Sequence, residues 1–192
     1  VGASWDPSLP SRTISGGGLT GEYTLAQFHF HWGCKNNRGS EHTVDGTRYA
    51  MELHLVHYKT IYGSLAEAIK YEDGLAVLGV FFNVGVINLS LKHFTYALPA
   101  VVVEGSEKEI HFNVALTDLI PVRRDFYRYQ GSLTTPTCNE VVIWSVFCSH
   151  LSFSEEQANA FRKIKGHNGH KLCDNYRGIQ PLNHREVRKH QP

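Results

Sequence analysis

The stretch FHFHWG, residues 28–33, restricts the fold more than any other part of the chain. In a β-strand, side chains at i and i+2 point to the same face. His29 and His31 then sit side by side, joined by Gln27, while Phe28, Phe30 and Trp32 occupy the other face. Two neighbouring imidazoles fit either a metal clamp or two ordinary strand residues, and the pair alone does not decide between them.

Strand-like runs dominate the rest of the sequence. YTLAQFHFHW (23–32), RYAMELHLVHY (48–58), LAVLGVFFNV (75–84), ALPAVVV (97–103) and EVVIWSVF (140–147) are rich in β-branched or aromatic residues. Turn formers bound each of them. Two helices are expected. Ser64 and Glu67 form a capping box, with Leu65, Ala68 and Ile69 as the apolar face and Gly74 as the stop. Ser154 and Gln157 repeat the pattern, with Ala158, Phe161 and Ile164 inward and Gly166 at the end. The glycine-rich ISGGGLTGEYT (14–24) lacks the GK[ST] ending of a phosphate cradle and opens no helix. It reads as a turn entering a strand. The sum is one mainly β domain over residues 1–192 with a few short helices and no linker.

Charge gives no argument for nucleic acid: 19 basic residues face 18 acidic ones, with no basic stripe. The tail REVRKH (185–190) contains Glu186 and reads as a solvated end. No apolar run reaches the roughly 18 residues of a membrane span. There is no signal peptide, and Val1 is not an initiator methionine, so a processed chain or a piece of a longer one is expected. Cysteines at 34, 138, 148 and 173 form no CxxC pair, which excludes metal-finger spacing. They suit either disulfides or a reduced protein. Asn88-Leu89-Ser90 is a candidate glycosylation site in a secretory compartment. Twelve histidines favour metal or proton chemistry without placing it.

MELHLVHY supplies a third imidazole. Glu52, His54 and Val56 share one strand face; Leu53, Leu55 and His57 share the other. A strand pair bringing these faces into one cavity presents His29, His31 and His54 together. Gln27 and Glu52 are spaced to hold ligand ring nitrogens, which fixes tautomer and ring direction. Three neutral histidines are a catalytic zinc set with a fourth position open. A closed structural site would need a fourth protein ligand, and none stands out. A cupin HxH expects an acid within a few residues, yet WGCKNNRGSE follows His31; the helical HExxH signature is absent. Alone, His54 reads as a core histidine satisfied by Glu52.

QFHFHWG, GSEHTVDG (39–46), ELHLVH (52–57), GLAVLGVFF (74–82), SLTTPTCNEVVIW (132–144) and CDNYRGIQPLN (173–183) follow one another in the order and approximate spacing of the α-class carbonic anhydrases. The chain resembles that family over essentially its whole length. The resemblance implies a large twisted, mostly antiparallel central sheet with short surface helices. It implies Zn2+ on His29, His31 and His54, with Gln27 supporting His29, Glu52 supporting His54 and the Asn175 carbonyl supporting His31. Thr134 would accept a hydrogen bond from a zinc-bound hydroxide and donate its own to Glu41, whose carboxylate only accepts. Thr135 would line the polar side. Val56, Val77, Leu133, Val142 and Trp144 would form the apolar pocket for carbon dioxide, hydrated reversibly to bicarbonate and a proton. No protein partner is implied.

Some positions depart from the family pattern. The family domain begins well before Val1, so the segment carrying its usual proton-shuttle histidine falls outside this sequence. Zinc binding with slow turnover is therefore expected, the alternative being a weakly active or inactive interaction module. Thr137 replaces a proline, so the turn beside Thr134 and Thr135 is expected to differ, and Tyr176 stands where tryptophan is frequent. Cys138 matches a cysteine that secreted and membrane-tethered members pair with one near their N-terminus. Here it is free or paired with Cys34, Cys148 or Cys173. With the sequon, that match favours an extracellular or membrane-tethered protein over a cytoplasmic one.

Overall fold

The computed structural model describes residues 1–4, 10–109 and 115–191. Its strands are Gly2–Ser4 (β1), Thr13–Ile14 (β2), Tyr23–Trp32 (β3), Met51–Lys59 (β4), Leu75–Val84 (β5), Phe126–Gly131 (β6), Val142–Phe147 (β7), Leu151–Phe153 (β8) and Arg188–His190 (β9). They form one sheet in the order β1-β3-β4-β5-β7-β6-β9, with β2 on β3 and β8 on β5. Only β5 makes parallel pairs among the described residues, with β7 and β8; the other pairings are antiparallel.

Alternation in β3 and β4 splits the core between two faces. On one, Phe28, Phe30, Trp32, Leu53 and Leu55 pack with Leu91, Phe94 and Phe161. These last three come from Leu89–Ala97 (α2) and Glu155–Arg162 (α3). On the other, Val56, Val77, Val142, Trp144 and Val146 form a smaller cluster that floors the site. Burying large apolar side chains contributes about 1.5–3 kcal/mol each, so the aromatic face fixes the register and the polar face follows from it.

The expected strands at 23–32 and 75–84 are found with those bounds, and Ser154 caps α3 with the full capping box. Ala158, Phe161 and Ile164 are buried as expected. Ser64 caps only one short turn, Leu65–Ala68 (α1). The strand expected at 97–103 is a correction: that segment ends α2 and continues as a 3-10 turn, Leu98–Val101. The Asn88 side chain accepts from the Leu91 amide and starts a helix whose 3-10 continuation reaches the first residue of the β-branched run, Val101.

Candidate metal centre

Pairing of β3 with β4 puts His29 opposite His54, His31 opposite Glu52 and Gln27 opposite Val56. Opposed residues of an antiparallel pair share a face. The ring centroids of His29, His31 and His54 lie 4.9, 5.2 and 4.7 Å apart. One nitrogen from each comes within 4.8 Å of the others.

The second nitrogen of every ring is held. His29 Nδ1 meets Gln27 Oε1 at 2.9 Å, His31 Nδ1 meets the Asn175 carbonyl at 2.8 Å, and His54 Nε2 meets Glu52 Oε1 at 2.7 Å. Each partner atom is an acceptor, so each held nitrogen carries the proton. That leaves lone pairs on His29 Nε2, His31 Nε2 and His54 Nδ1. His31 Nε2 is buried with no hydrogen-bond partner, a condition that asks for a ligand. Burial, then the neighbouring imidazoles, push His29 down to about 2 and His31 down to about 4. Both rings are therefore neutral, as metal ligation requires. Three neutral imidazoles with tied outer nitrogens fit zinc.

Glu52 is the fully buried hub of the site. Its Oε1 takes His54 Nε2 and, at 2.6 Å, His42 Nδ1; its Oε2 accepts the amides of Glu41 and His42, both at 2.8 Å. Burial alone would raise its carboxyl, but His42, His54 and these bonds hold it well below the usual range. His42 continues through Nε2 to the Tyr129 hydroxyl at 2.6 Å. Although His42, Glu52 and His54 could also converge on a cation, His42 Nδ1 and His54 Nε2 are both spent on Glu52 Oε1 and His42 Nε2 on Tyr129. Sequence reasoning missed His42 and Tyr129, because His42 sits in a turn where alternation gives no direction. It also missed Gly79, opposite His54. A Cβ at Gly79 would lie 3.3 Å from both Glu52 Oε1 and Val146 Cγ2. A glycine inside a strand was the available signal.

Glu41 Oε1 accepts the Arg177 amide at 2.6 Å. Its Oε2 has no hydrogen-bond partner and stands 3.4 Å from His31 Nε2 and 3.9 Å from His54 Nδ1. The Thr134–Glu41 hydrogen bond implied by the resemblance is thus not formed. Thr134 lies between two cavities. One, of about 300 Å³, is walled by Val56, Val77, Leu133, Thr135 and Trp144, with Gln27, His29 and His54 at its polar end. The other, of about 490 Å³, is bordered by Glu41, His42, Tyr129 and Arg177. Val142 does not reach the first cavity; it is fully buried in the cluster with Trp144.

In the turn beyond Thr135 the Pro136–Thr137 peptide is cis. Tyr176 lies under the Arg48 guanidinium, 4.5 Å from its ring centroid. Asn88 Nδ2, the atom a glycan would occupy, donates to the Ser152 carbonyl at 3.1 Å. Cys34 is bonded to Cys173, while Cys138 and Cys148 are free.

Three converging imidazoles on one face of a largely antiparallel sheet, beside a small apolar cavity, form a group that could hold a metal ion. A family model described as eukaryotic-type carbonic anhydrase matches residues 1–191. Human carbonic anhydrase 3 is 39% identical over 189 residues, spanning 96% of this chain and 72% of the relative. Mouse carbonic anhydrase 1 is 42% identical over the same length and shares. The chain belongs to the eukaryotic-type carbonic anhydrase family, whose members are lyases that hydrate carbon dioxide.

Proposed function

We propose that this chain hydrates carbon dioxide reversibly to bicarbonate and a proton, with zinc held by His29, His31 and His54. The observation that carries this reading is the convergence of three untied imidazole nitrogens within 4.8 Å. When bound, zinc supplies Lewis acidity that makes water a nucleophile near neutral pH, carbonic anhydrase being itself the standard example of that effect.

The chain's own residues supply the rest. Gln27, Glu52 and the Asn175 carbonyl fix tautomer and aim. Neutral ligands leave the cation's charge uncancelled, where thiolates would offset it. Val56, Val77, Leu133 and Trp144 receive carbon dioxide, which has no net dipole and gains little from polar groups; Thr135 offers the polar side. Glu41 Oε2 has room for a donor, and the Thr134 hydroxyl would fill that role. Its oxygen lone pairs would then accept a hydrogen bond from the nucleophile's O–H and turn the attacking pair toward substrate. Zinc content and hydration rate, compared with His54→Ala, test the reading. The wild type should hold one zinc and exceed the variant; equal rates would sink it.

One observation favours a second reading, a weakly active or inactive interaction module: Thr134 and Glu41 are not hydrogen-bonded. A hydration rate at the level of His54→Ala in zinc-loaded protein would select it. No helix among the described residues is long and apolar enough to cross a membrane. The Cys34–Cys173 crosslink supports an oxidising, extracellular setting over the cytoplasm. A thiol count on protein from its native source tests that assignment.

A further inference from the structure

The segment after Leu172 brings the Asn175 carbonyl to His31, yet it has little backbone order of its own. Among the described residues, no backbone amide or carbonyl from 173 to 181 bonds to another backbone group. Beyond Asn175 it is held by the Arg177 amide on Glu41 and by Tyr176 against Arg48; up to Asn175 what holds it is a seam against the end of β3. Trp32 Nε1 donates to the Leu172 carbonyl at 3.1 Å, and the Trp32 amide to Asn175 Oδ1 at 2.7 Å. The Cys34 amide donates to Asp174 Oδ1 at 2.9 Å. Arg38 grips the same carboxylate through Nε and Nη2 at 2.9 and 2.7 Å. The Cys34–Cys173 bond closes this seam across 139 residues of sequence. Cys34 is three residues beyond His31, and Cys173 is two residues before Asn175.

We propose that the Cys34–Cys173 disulfide is a positioning element of the metal centre: it keeps the Asn175 carbonyl on His31 Nδ1, so the redox state of the pair sets zinc affinity. This rests on the reading of His29, His31 and His54 as zinc ligands. A dithiol reductant transfers two electrons and two protons, leaving thiols at Cys34 and Cys173 and the reagent as a cyclic disulfide. The carbonyl then depends on part-buried polar contacts alone, those to Trp32, Cys34 and Arg38 on one side and the Arg177 amide on Glu41 on the other. Loss of a group that orients a ligand costs about 10–100-fold in metal affinity, and a loosened one falls at the lower end.

The test is zinc affinity by chelator competition on folded protein at 25 °C, oxidised and dithiol-reduced, beside Cys34→Ser/Cys173→Ser. Ser64→Ala, which removes the cap of α1 beyond the Lys59 end of β4 and away from the seam, controls for general destabilisation. The proposal expects about tenfold weaker zinc binding in the reduced and the double-serine proteins, and none of that loss in Ser64→Ala. If the double variant does not fold, the reduced wild type, checked by near-UV circular dichroism, decides. Equal affinity before and after reduction, or four free thiols in air-oxidised protein, overturns the proposal while leaving the zinc reading intact. An oxidised protein that binds no zinc overturns the zinc reading and the proposal with it.

Discussion

Glu41 holds Oε2 3.4 Å from His31 Nε2, and neither atom has a hydrogen-bond partner. A carboxylate oxygen and an imidazole lone pair are both acceptors, so the two are satisfied together only by a cation, a shared proton or a molecule that donates to both. The Arg177 amide on Oε1 keeps the carboxylate in that position.

Glu41→Gln puts an amide where the free oxygen stands. Its N–H can donate to His31 Nε2 and occupy the lone pair that a metal needs. Its missing charge also removes the acceptor proposed for Thr134. Zinc affinity, by chelator competition, and the hydration rate, by stopped flow, should each fall about 10–100-fold. A variant with wild-type values in both would show that Glu41 is only a packed acid.

Glu52 receives two imidazole nitrogens and two backbone amides. Glutamine offers one oxygen, and its amide group must face at least one of those donors. Removing one member of a buried charged network costs about 3–5 kcal/mol. Glu52→Gln should lose about that much in urea unfolding and should bind zinc at least tenfold more weakly. A stability within 1 kcal/mol of wild type, a limit set at about the net worth of one hydrogen bond, would show the hub to be dispensable.

Where alternation runs uninterrupted, sequence and structure agree. His29, His31, Gln27, Glu52 and His54 were legible because the pairing of β3 with β4 runs without a break from Gln27 to Trp32, past the register shift after Leu25, and the apolar faces force that register. Val142 has the right parity but packs as floor rather than wall, since parity gives a face and not a depth. The segment at 97–103 looked extended because Val101, Val102 and Val103 are β-branched; the Asn88 cap, nine residues upstream, decided otherwise. His42, Tyr129 and the Arg177 amide reach the site from turns and from a strand on the far side of β7, a juxtaposition no local pattern encodes.

Gly79 tests how tightly the hub is enclosed. Its missing side chain leaves room for Glu52 Oε1 on one side and Val146 on the other, each 3.3 Å from a would-be Cβ. Both neighbours are buried, so neither can swing away. Gly79→Ala should cost about 1–3 kcal/mol, the usual range for overpacking, and should weaken zinc binding by tilting Glu52 away from His54. Thermal unfolding and chelator competition read the two effects. A more stable variant with unchanged zinc affinity would mean that the strand shifts freely.

His57 lies on the aromatic face of the sheet, 3% exposed, with Nδ1 donating to the Leu55 carbonyl at 3.0 Å. Burial pulls it from the ordinary 6.5 down to about 4, against the opposing pull of the Leu55 and Ala76 carbonyls. Between those two values the unfolded chain takes up a proton that the folded chain refuses. Stability is therefore full above pH 6.5 and declines as pH falls toward 4, by up to about 3 kcal/mol from this one group. In His57→Gln no such proton exists, so its urea-unfolding free energy should fall less steeply over that window. At pH 4.5 the gap between wild type and variant should be about 2 kcal/mol narrower than at pH 7. His29 and His31 titrate in both proteins and cancel in the comparison. Parallel profiles from pH 7 to 4.5 would show that His57 accepts its proton in the folded state.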